Sequence, residues 1–138
     1  RDAALADWLA GRGVELVVLA GYMALLDAAF LARFPQRVIN VHPALLPAFP
    51  GVRAIEQALA YGVKVFGVTV HFVDEGVDTG PVIAQREVPV PPGVAREELE
   101  AAVHAVEHEL YPEAIRMIAE GRVRIDPDDP RRVAIDDS

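Results

Sequence analysis

The sequence contains no cysteine, few basic residues and no long hydrophobic run. Without cysteine the chain forms neither disulfides nor thiolate metal sites, which suits a reducing compartment and predicts a cytoplasmic protein. Lysine and arginine number 13 against 21 acidic residues, and the net charge of −8 argues against a nucleic-acid partner. The apolar stretch of residues 14–23 is interrupted by Glu15 and is too short to span a bilayer, and no signal-peptide pattern opens the chain. The composition therefore points away from membranes and from secretion.

The sequence contains enough hydrophobic residues to form the core of one folded domain. The chain has 138 residues, of which 52% are hydrophobic and 25% charged, as in globular proteins with a substantial core. No internal repeat or interdomain linker divides it. We therefore expect residues 1–138 to form a single domain.

Hydrophobic spacing predicts alternating helices and strands. Apolar residues at helical spacing favour a first helix within residues 2–12, and the run that follows it reads as a buried strand. A second helix, capped by Asp27 and ending near Arg33, would lead to a strand over residues 37–41. Strand, crossover helix and strand predict a parallel pair. The chain is therefore expected to adopt an α/β fold.

The second half predicts an antiparallel extension of the sheet. Prolines at 43, 47 and 50 make residues 43–51 a shaped loop. The expected later elements are a helix over 54–61, two strands over 63–73 and 82–88 that pair antiparallel across a turn, a long helix over 96–120, and one short strand followed by a frayed acidic tail within 122–138. No glycine-rich phosphate-binding turn precedes the first strand, so we also expect an amino-terminal portion of the domain to be missing.

Asn40 and His42 form the first candidate pair for chemistry. They are two residues apart at the carboxyl end of a parallel strand, so both side chains leave the same face of the sheet. Ligands of open α/β sheets bind outside these strand ends. The alternative is structural, with Asn40 capping the loop and His42 as a hydrogen-bonded interior histidine.

Asp78 is the second candidate, in the glycine-containing turn between the two antiparallel strands. Aspartate is common in turns because its carboxylate bonds to its own backbone, so a solvated turn residue is the competing interpretation. Thr69 and His71 share one face of the preceding strand, and we treat them as supporting candidates rather than as reacting groups.

Residues 104–108 match the H-x-x-E-H pattern of a zinc-peptidase helix. On a helical wheel, however, His104 and His108 lie about 125° and 165° from the centre of the apolar stripe, so both should face water. Glu107 lies about 65° from it and alone of the three could reach a pocket. The sequence therefore predicts no metal site.

Taken together, four segments resemble the phosphoribosylglycinamide formyltransferase family. The segments are residues 18–23, 39–51, 67–81 and 107–112. The resemblance implies a Rossmann-like formyltransferase fold, with a mostly parallel sheet, an antiparallel extension and no counterpart of the family's first strands. It also implies a cis peptide before Pro47 and, in many relatives, a homodimer.

The resemblance further implies an activity and a set of site residues. The reaction would transfer a formyl group from 10-formyltetrahydrofolate to the amine of glycinamide ribonucleotide. The implied catalytic residues are Asn40, His42 and Asp78. The implied folate pocket consists of Met23, Ala24, Leu25, Leu26, Asp74, Glu75, Gly76, Val77 and Asp78. The implied ribonucleotide contacts are Asn40, His104, Ala105, Val106 and chiefly Glu107.

These residue types suit that chemistry. When the amine attacks the formyl carbon, the carbonyl oxygen gains negative charge, and the Asn40 amide and a protonated His42 can donate hydrogen bonds to it. Asp78 would orient the His42 ring or a water molecule for proton transfer from the amine to the folate nitrogen.

Other functions share part of this pattern. Formyltetrahydrofolate hydrolases have the same Asn, His and Asp and transfer the group to water, and methionyl-tRNA formyltransferases have them too, although a tRNA substrate would favour a more basic surface. A folate-binding fragment without catalytic activity is the non-enzymatic alternative.

Overall fold

The computed structural model describes residues 2–13, 15–19 and 28–137. The helices are α1 (Asp2–Gly11), α2 (Ala28–Arg33), α3 (Ala54–Tyr61) and α4 (Arg96–Ala119). The strands are β1 (Val17–Leu19), β2 (Val38–His42), β3 (Val65–Phe72), β4 (Val82–Pro89), β5 (Val123–Ile125) and β6 (Val133–Ile135). The predicted elements are confirmed to within a few residues at their ends. The expected helix cap Asp27 lies outside the described residues.

The main sheet has the strand order β1-β2-β3-β4. The pair β1–β2 is parallel, as the crossover argument predicts, and both β2–β3 and β3–β4 are antiparallel. The α/β fold with an antiparallel extension is therefore confirmed, and within the described residues that extension contributes more pairings than the parallel part does.

The larger hydrophobic core cluster lies between this sheet and the helices α3 and α4. Alternate residues of β3 face it, including the fully buried Val68 and Val70, because side chains of a strand point to opposite faces in turn. Leu99, Val103, Val106 and Leu110 of α4 pack into or against the same cluster, as their 4, 3 and 4 spacing predicts. Burial on this face leaves the other face of β2 and β3 for polar side chains.

The carboxyl-terminal segment differs from its prediction. Instead of one strand and a frayed tail, β5 and β6 pair as an antiparallel hairpin. Arg122 adds a bond across it by donating from Nε to the carbonyl oxygen of Asp136 (2.7 Å). The prediction was wrong because the acidic, proline-containing connection is not a disordered tail but the turn that brings the two short strands together.

Within the described ranges, none of the helices is long and apolar enough to cross a membrane.

Candidate active site

Four polar side chains lie on one face where β2 and β3 meet. In the antiparallel register, Asn40 is opposite His71, and His42 is opposite Thr69. Cross-strand partners project to the same side of a sheet, so all four share that face. His42, Thr69 and His71 are each buried. The prediction that Asn40 and His42 leave one face together is thereby confirmed, and His71 and Thr69 join them.

Asp78 comes to this face from the turn between β3 and β4 and lies between two imidazole rings. Its Oδ2 is 3.4 Å from His42 Nδ1, and its Oδ1 is 3.5 Å from His71 Nε2. The side chains of the three residues are 5%, 3% and 9% exposed for His42, His71 and Asp78 respectively. The structure therefore brings His42 and Asp78 together as predicted, and it rejects the interpretation of Asp78 as a solvated turn residue.

The outer nitrogens of both rings contact backbone carbonyl oxygens. His42 Nε2 lies 2.8 Å from the oxygen of Phe49, and His71 Nδ1 lies 2.9 Å from the oxygen of Phe72. A carbonyl oxygen only accepts, so each of these nitrogens has a hydrogen and donates it. The nitrogens that face Asp78 then have a hydrogen only when the ring is charged. The arrangement can accept a proton beside a carboxylate and release it again.

The loop of residues 43–51 supplies backbone groups to both members of the pair. Besides the Phe49 carbonyl on His42, the Gly51 N–H donates to Asp78 Oδ2 at 2.8 Å. The peptide bond before Pro47 is cis, as the resemblance implies. Neither backbone contact can be predicted from the sequence, because every residue has a peptide group and only the path of the loop decides where that group points.

Asp78 adopts a left-handed backbone conformation, with φ at 53°. This region costs a residue other than glycine about 1–2 kcal/mol, although aspartate tolerates it better than most. The hydrogen bond from the Gly51 N–H offsets part of that cost. A buried carboxylate on a strained backbone is typical of a functional position.

The rest of the turn is organised by Asp74. Its Oδ1 accepts hydrogen bonds from the Gly76 N–H (2.9 Å) and from the Thr79 hydroxyl (2.5 Å). Gly80 closes the turn, because a Cβ there would lie 1.7 Å from the Phe72 carbonyl oxygen. Glu75, Gly76 and Val77 are exposed at its tip. Of the predicted folate pocket, this turn is described, whereas Met23, Ala24, Leu25 and Leu26 lie outside the described residues.

Of the two candidate residues on β2, Asn40 has a side-chain oxygen without a hydrogen-bond partner among the described residues. Asn40 Oδ1 is buried, and it accepts no hydrogen bond from the described residues. Leaving a buried polar atom unpaired costs about 1–3 kcal/mol, so such atoms in folded proteins call for a partner. A bound ligand that donates to Asn40 would supply it.

The side chains of residues 104–108, which match the zinc-peptidase pattern, are exposed or buried as the helical wheel predicts. His104 and His108 are exposed, whereas the Glu107 side chain is only 17% exposed and lies 3.4 Å from His104 Nδ1. Ala105 is exposed and Val106 half-buried. Nowhere in the described ranges do three potential metal ligands converge.

Tyr111 connects this helix to the strand ends. Its hydroxyl group lies within hydrogen-bonding distance of the carbonyl oxygens of Leu19 and, at 3.1 Å, Ile39. Burial raises the pKa of the Tyr111 phenol well above its ordinary value, so the group remains a neutral donor. Because residues four apart lie on one helix face, Glu107 is on the same face of α4 as Tyr111.

Comparisons with known proteins agree with this site. The sequence model of the family described as formyl transferase matches residues 1–115. The phosphoribosylglycinamide formyltransferase of Bacillus subtilis (strain 168) is 45% identical over 117 residues, covering 85% of this chain and 60% of that protein. The chain thus spans less than two thirds of this relative's length.

Two solved structures are similar over nearly the whole chain. Glycinamide ribonucleotide transformylase 1 from Symbiobacterium toebii is 56% identical with a TM-score of 0.92, covering 99% of this chain and 63% of that one. A formyltetrahydrofolate deformylase from Pseudomonas syringae pv. tomato DC3000 is 30% identical with a TM-score of 0.88, covering 98% and 44%. Since the family's sequence model matches most of its length and its fold is that of these enzymes, the chain belongs to the formyl transferase family.

Proposed function

We propose that the protein containing this chain transfers a formyl group from 10-formyltetrahydrofolate to the amine of glycinamide ribonucleotide, a step of purine synthesis. The observation behind this proposal is the buried contact between His42 and Asp78 beside the unpaired amide oxygen of Asn40. The relatives with 45% and 56% identity are named for this activity or for its ribonucleotide substrate.

In the proposed mechanism the amine nitrogen attacks the formyl carbon directly. The carbonyl oxygen becomes an oxyanion, Asn40 donates a hydrogen bond to it, and the positive charge of the protonated His42 ring stabilises it. The tetrahedral intermediate then collapses, the bond from carbon to the folate N10 breaks, and the amine's extra proton is passed to N10. Asp78 holds the His42 ring through this exchange. Every group is returned unchanged, and no covalent bond to the enzyme forms.

The proposed binding regions flank this centre. The folate would lie against Met23, Ala24, Leu25 and Leu26 and against the turn of residues 74–78, whose exposed tip leaves room for a ligand. The ribonucleotide would contact Asn40 and residues 104–107, chiefly Glu107. The half-buried Glu107 carboxylate on the Tyr111 face of α4 suits an amine substrate, since a charged hydrogen bond contributes about 1.5–3 kcal/mol.

The proposal also covers the cellular location and the oligomeric state of the protein. A cytoplasmic enzyme fits a sequence without cysteine, and the net charge of −8 disfavours nucleic-acid partners. We propose a homodimer because many relatives form one, and analytical ultracentrifugation of the full-length protein would measure its oligomeric state.

The deciding experiment is a formyl-transfer assay on the full-length protein with its two substrates. We expect His42→Ala to lower kcat by about 100-fold or more, because it removes the positive charge that stabilises the oxyanion. His108→Ala is the matched control, since that histidine is exposed on α4 and should leave kcat within about twofold. Full activity in His42→Ala would refute the mechanism.

The similarity to a deformylase supports a second candidate, transfer of the formyl group to water. Measuring formate release with and without glycinamide ribonucleotide separates the two, because a deformylase releases formate at the same rate without the amine. For residues 1–138 alone, binding of a folate analogue without binding of the ribonucleotide would support a non-catalytic folate-binding fragment.

A further inference from the structure

Three polar side chains form a row across β2, β3 and β4. The strand register places His42 beside Thr69 and Thr69 beside Gln85. We call His42, Thr69 and Gln85 the polar row. His42 has a role in the proposed reaction, whereas Gln85 is an exposed residue that the reaction does not use. Its hydrogen bonds nevertheless lead back to the active site.

The Thr69 hydroxyl is the centre of the row. It donates to the Ala44 carbonyl oxygen at 2.7 Å, and it accepts from the Leu46 N–H at 3.1 Å and from Gln85 Nε2 at 2.9 Å. A hydroxyl group has one hydrogen to donate and two lone pairs, so its capacity is filled. Thr69 is fully buried, which makes these bonds costly to lose.

Gln85 completes the hold on the loop. The second hydrogen of its Nε2 points to the Leu46 carbonyl oxygen, which lies 2.9 Å away. Both polar groups of Leu46 are thus held, the N–H by Thr69 and the carbonyl by Gln85. The loop also lies directly on β3, because a Cβ at Gly67 would be 2.4 Å from the Leu45 side chain.

Past this anchor the loop returns to the reacting pair. Three residues after Leu46, the Phe49 carbonyl accepts from His42 Nε2, and the Gly51 N–H then donates to Asp78. The Leu46 anchor therefore fixes the acceptor that decides which nitrogen of His42 has the hydrogen and how the ring is turned.

We propose that Gln85 is a positioning residue, which orients His42 through Thr69, Leu46 and the Phe49 carbonyl. Its two amide hydrogens bridge two acceptors, and this is the feature that the position requires. A glutamate of the same size would place a carboxylate oxygen against the Leu46 carbonyl, and a leucine would leave that carbonyl to water. The kinetic consequence rests on the proposed function, whereas the orientation of His42 does not.

The first test compares Gln85→Leu with Glu87→Leu in the full-length protein. Glu87 is exposed on the same face of β4, two residues further on, and makes no hydrogen bond to the described part of the loop. We expect Gln85→Leu to lower kcat about 10-fold with little change in KM, because a 1 Å misplacement costs about 100-fold and water replaces part of the lost bonds. Glu87→Leu should leave kcat within about twofold.

A spectroscopic readout separates positioning from general destabilisation. In nitrogen-15 NMR, assigned by its loss in His42→Ala, the His42 Nε2–H signal should be protected in the wild type and in Glu87→Leu. It should broaden or disappear in Gln85→Leu and in Gln85→Glu. If only size mattered, Gln85→Glu would behave as the wild type, and that result would overturn the proposal.

A double-mutant cycle with Thr69→Val tests the route. Because Gln85 and Thr69 both hold Leu46, the two substitutions together should lower kcat by less than the product of their separate effects, and fully independent effects would overturn the proposal. An unchanged His42 signal in Gln85→Leu would also overturn it. If the wild type transfers no formyl group but Gln85→Leu still releases the His42 signal, the proposed function fails and the positioning role stands.

Discussion

Two of the four histidines are buried on neighbouring strands, and the other two are exposed on one helix. His42 and His71 each donate one ring hydrogen to a backbone carbonyl and direct the other nitrogen to Asp78. His104 and His108, by contrast, form the more compact motif in the sequence yet face away from the core. Closeness along the chain is therefore a poor guide to a site. Convergence of distant segments on a water-excluded face is a better one, because electrostatic interactions are stronger there.

The difference between the buried and the exposed histidines is tested most strongly by removing the negative charge between the buried rings. Asp78→Asn should lower kcat by about 100-fold or more, because His42 loses the carboxylate that stabilises its charged form during proton transfer. Steady-state kinetics on the full-length protein measure the loss. Asp128→Asn, in the exposed turn between β5 and β6, is the charge-matched control for folding and expression. Equal losses in both variants would show that removal of any negative charge, and not loss of the Asp78 contact, lowers activity.

A second prediction concerns the buried face of the helix that displays the exposed histidines. Tyr111→Phe removes the single hydroxyl hydrogen that the carbonyl oxygens of Leu19 and Ile39 share, and should reduce the free energy of unfolding by about 1–3 kcal/mol. Urea unfolding at neutral pH measures this. Tyr61→Phe is the control, because Tyr61 is 82% exposed. Loss of its hydroxyl group should change the free energy of unfolding by less than about 0.5 kcal/mol.

The same pair of variants has a defined pH dependence. The pKa of Tyr111 is raised by burial, so its contribution to stability is complete below pH about 10, where the unfolded phenol ionises, and is lost as the pH rises further. The stability advantage of the wild type over Tyr111→Phe should therefore shrink between about pH 10 and pH 11.5. An advantage that stays constant over that range would contradict the burial of a neutral phenol.

The smallest expected effect belongs to the exposed pair. His108→Ala should change the free energy of unfolding by less than about 0.5 kcal/mol, because its side chain lies at the surface of α4. Addition of Zn²⁺ should shift the thermal midpoint of the wild type and of this variant equally. A zinc-dependent stabilisation that His108→Ala abolishes would revive the metal-site interpretation of residues 104–108.

Much of this fold could be predicted from spacing. The bounds of α3 and α4, the antiparallel pairing of β3 with β4 and the outward direction of His104 and His108 are all confirmed. The β5–β6 hairpin was missed, because strands of three residues have too few side chains for a period to show. The site was predicted only in part. Its side chains could be named, whereas the Phe49 carbonyl, the Gly51 N–H and the contacts of Gln85 could not.

What the sequence determined by itself is the side of each element on which a residue lies, since helical and strand periods follow from local backbone geometry. It thereby predicted that Asn40 and His42 share one face of the sheet and that Glu107 lies nearer the apolar face of its helix than His104 and His108 do. Only the tertiary structure decided that Asp78 reaches between His42 and His71 and that the loop of residues 43–51 holds both partners by its peptide groups. Those contacts depend on strand register and loop path, which join segments far apart in the chain and leave no periodic trace in it.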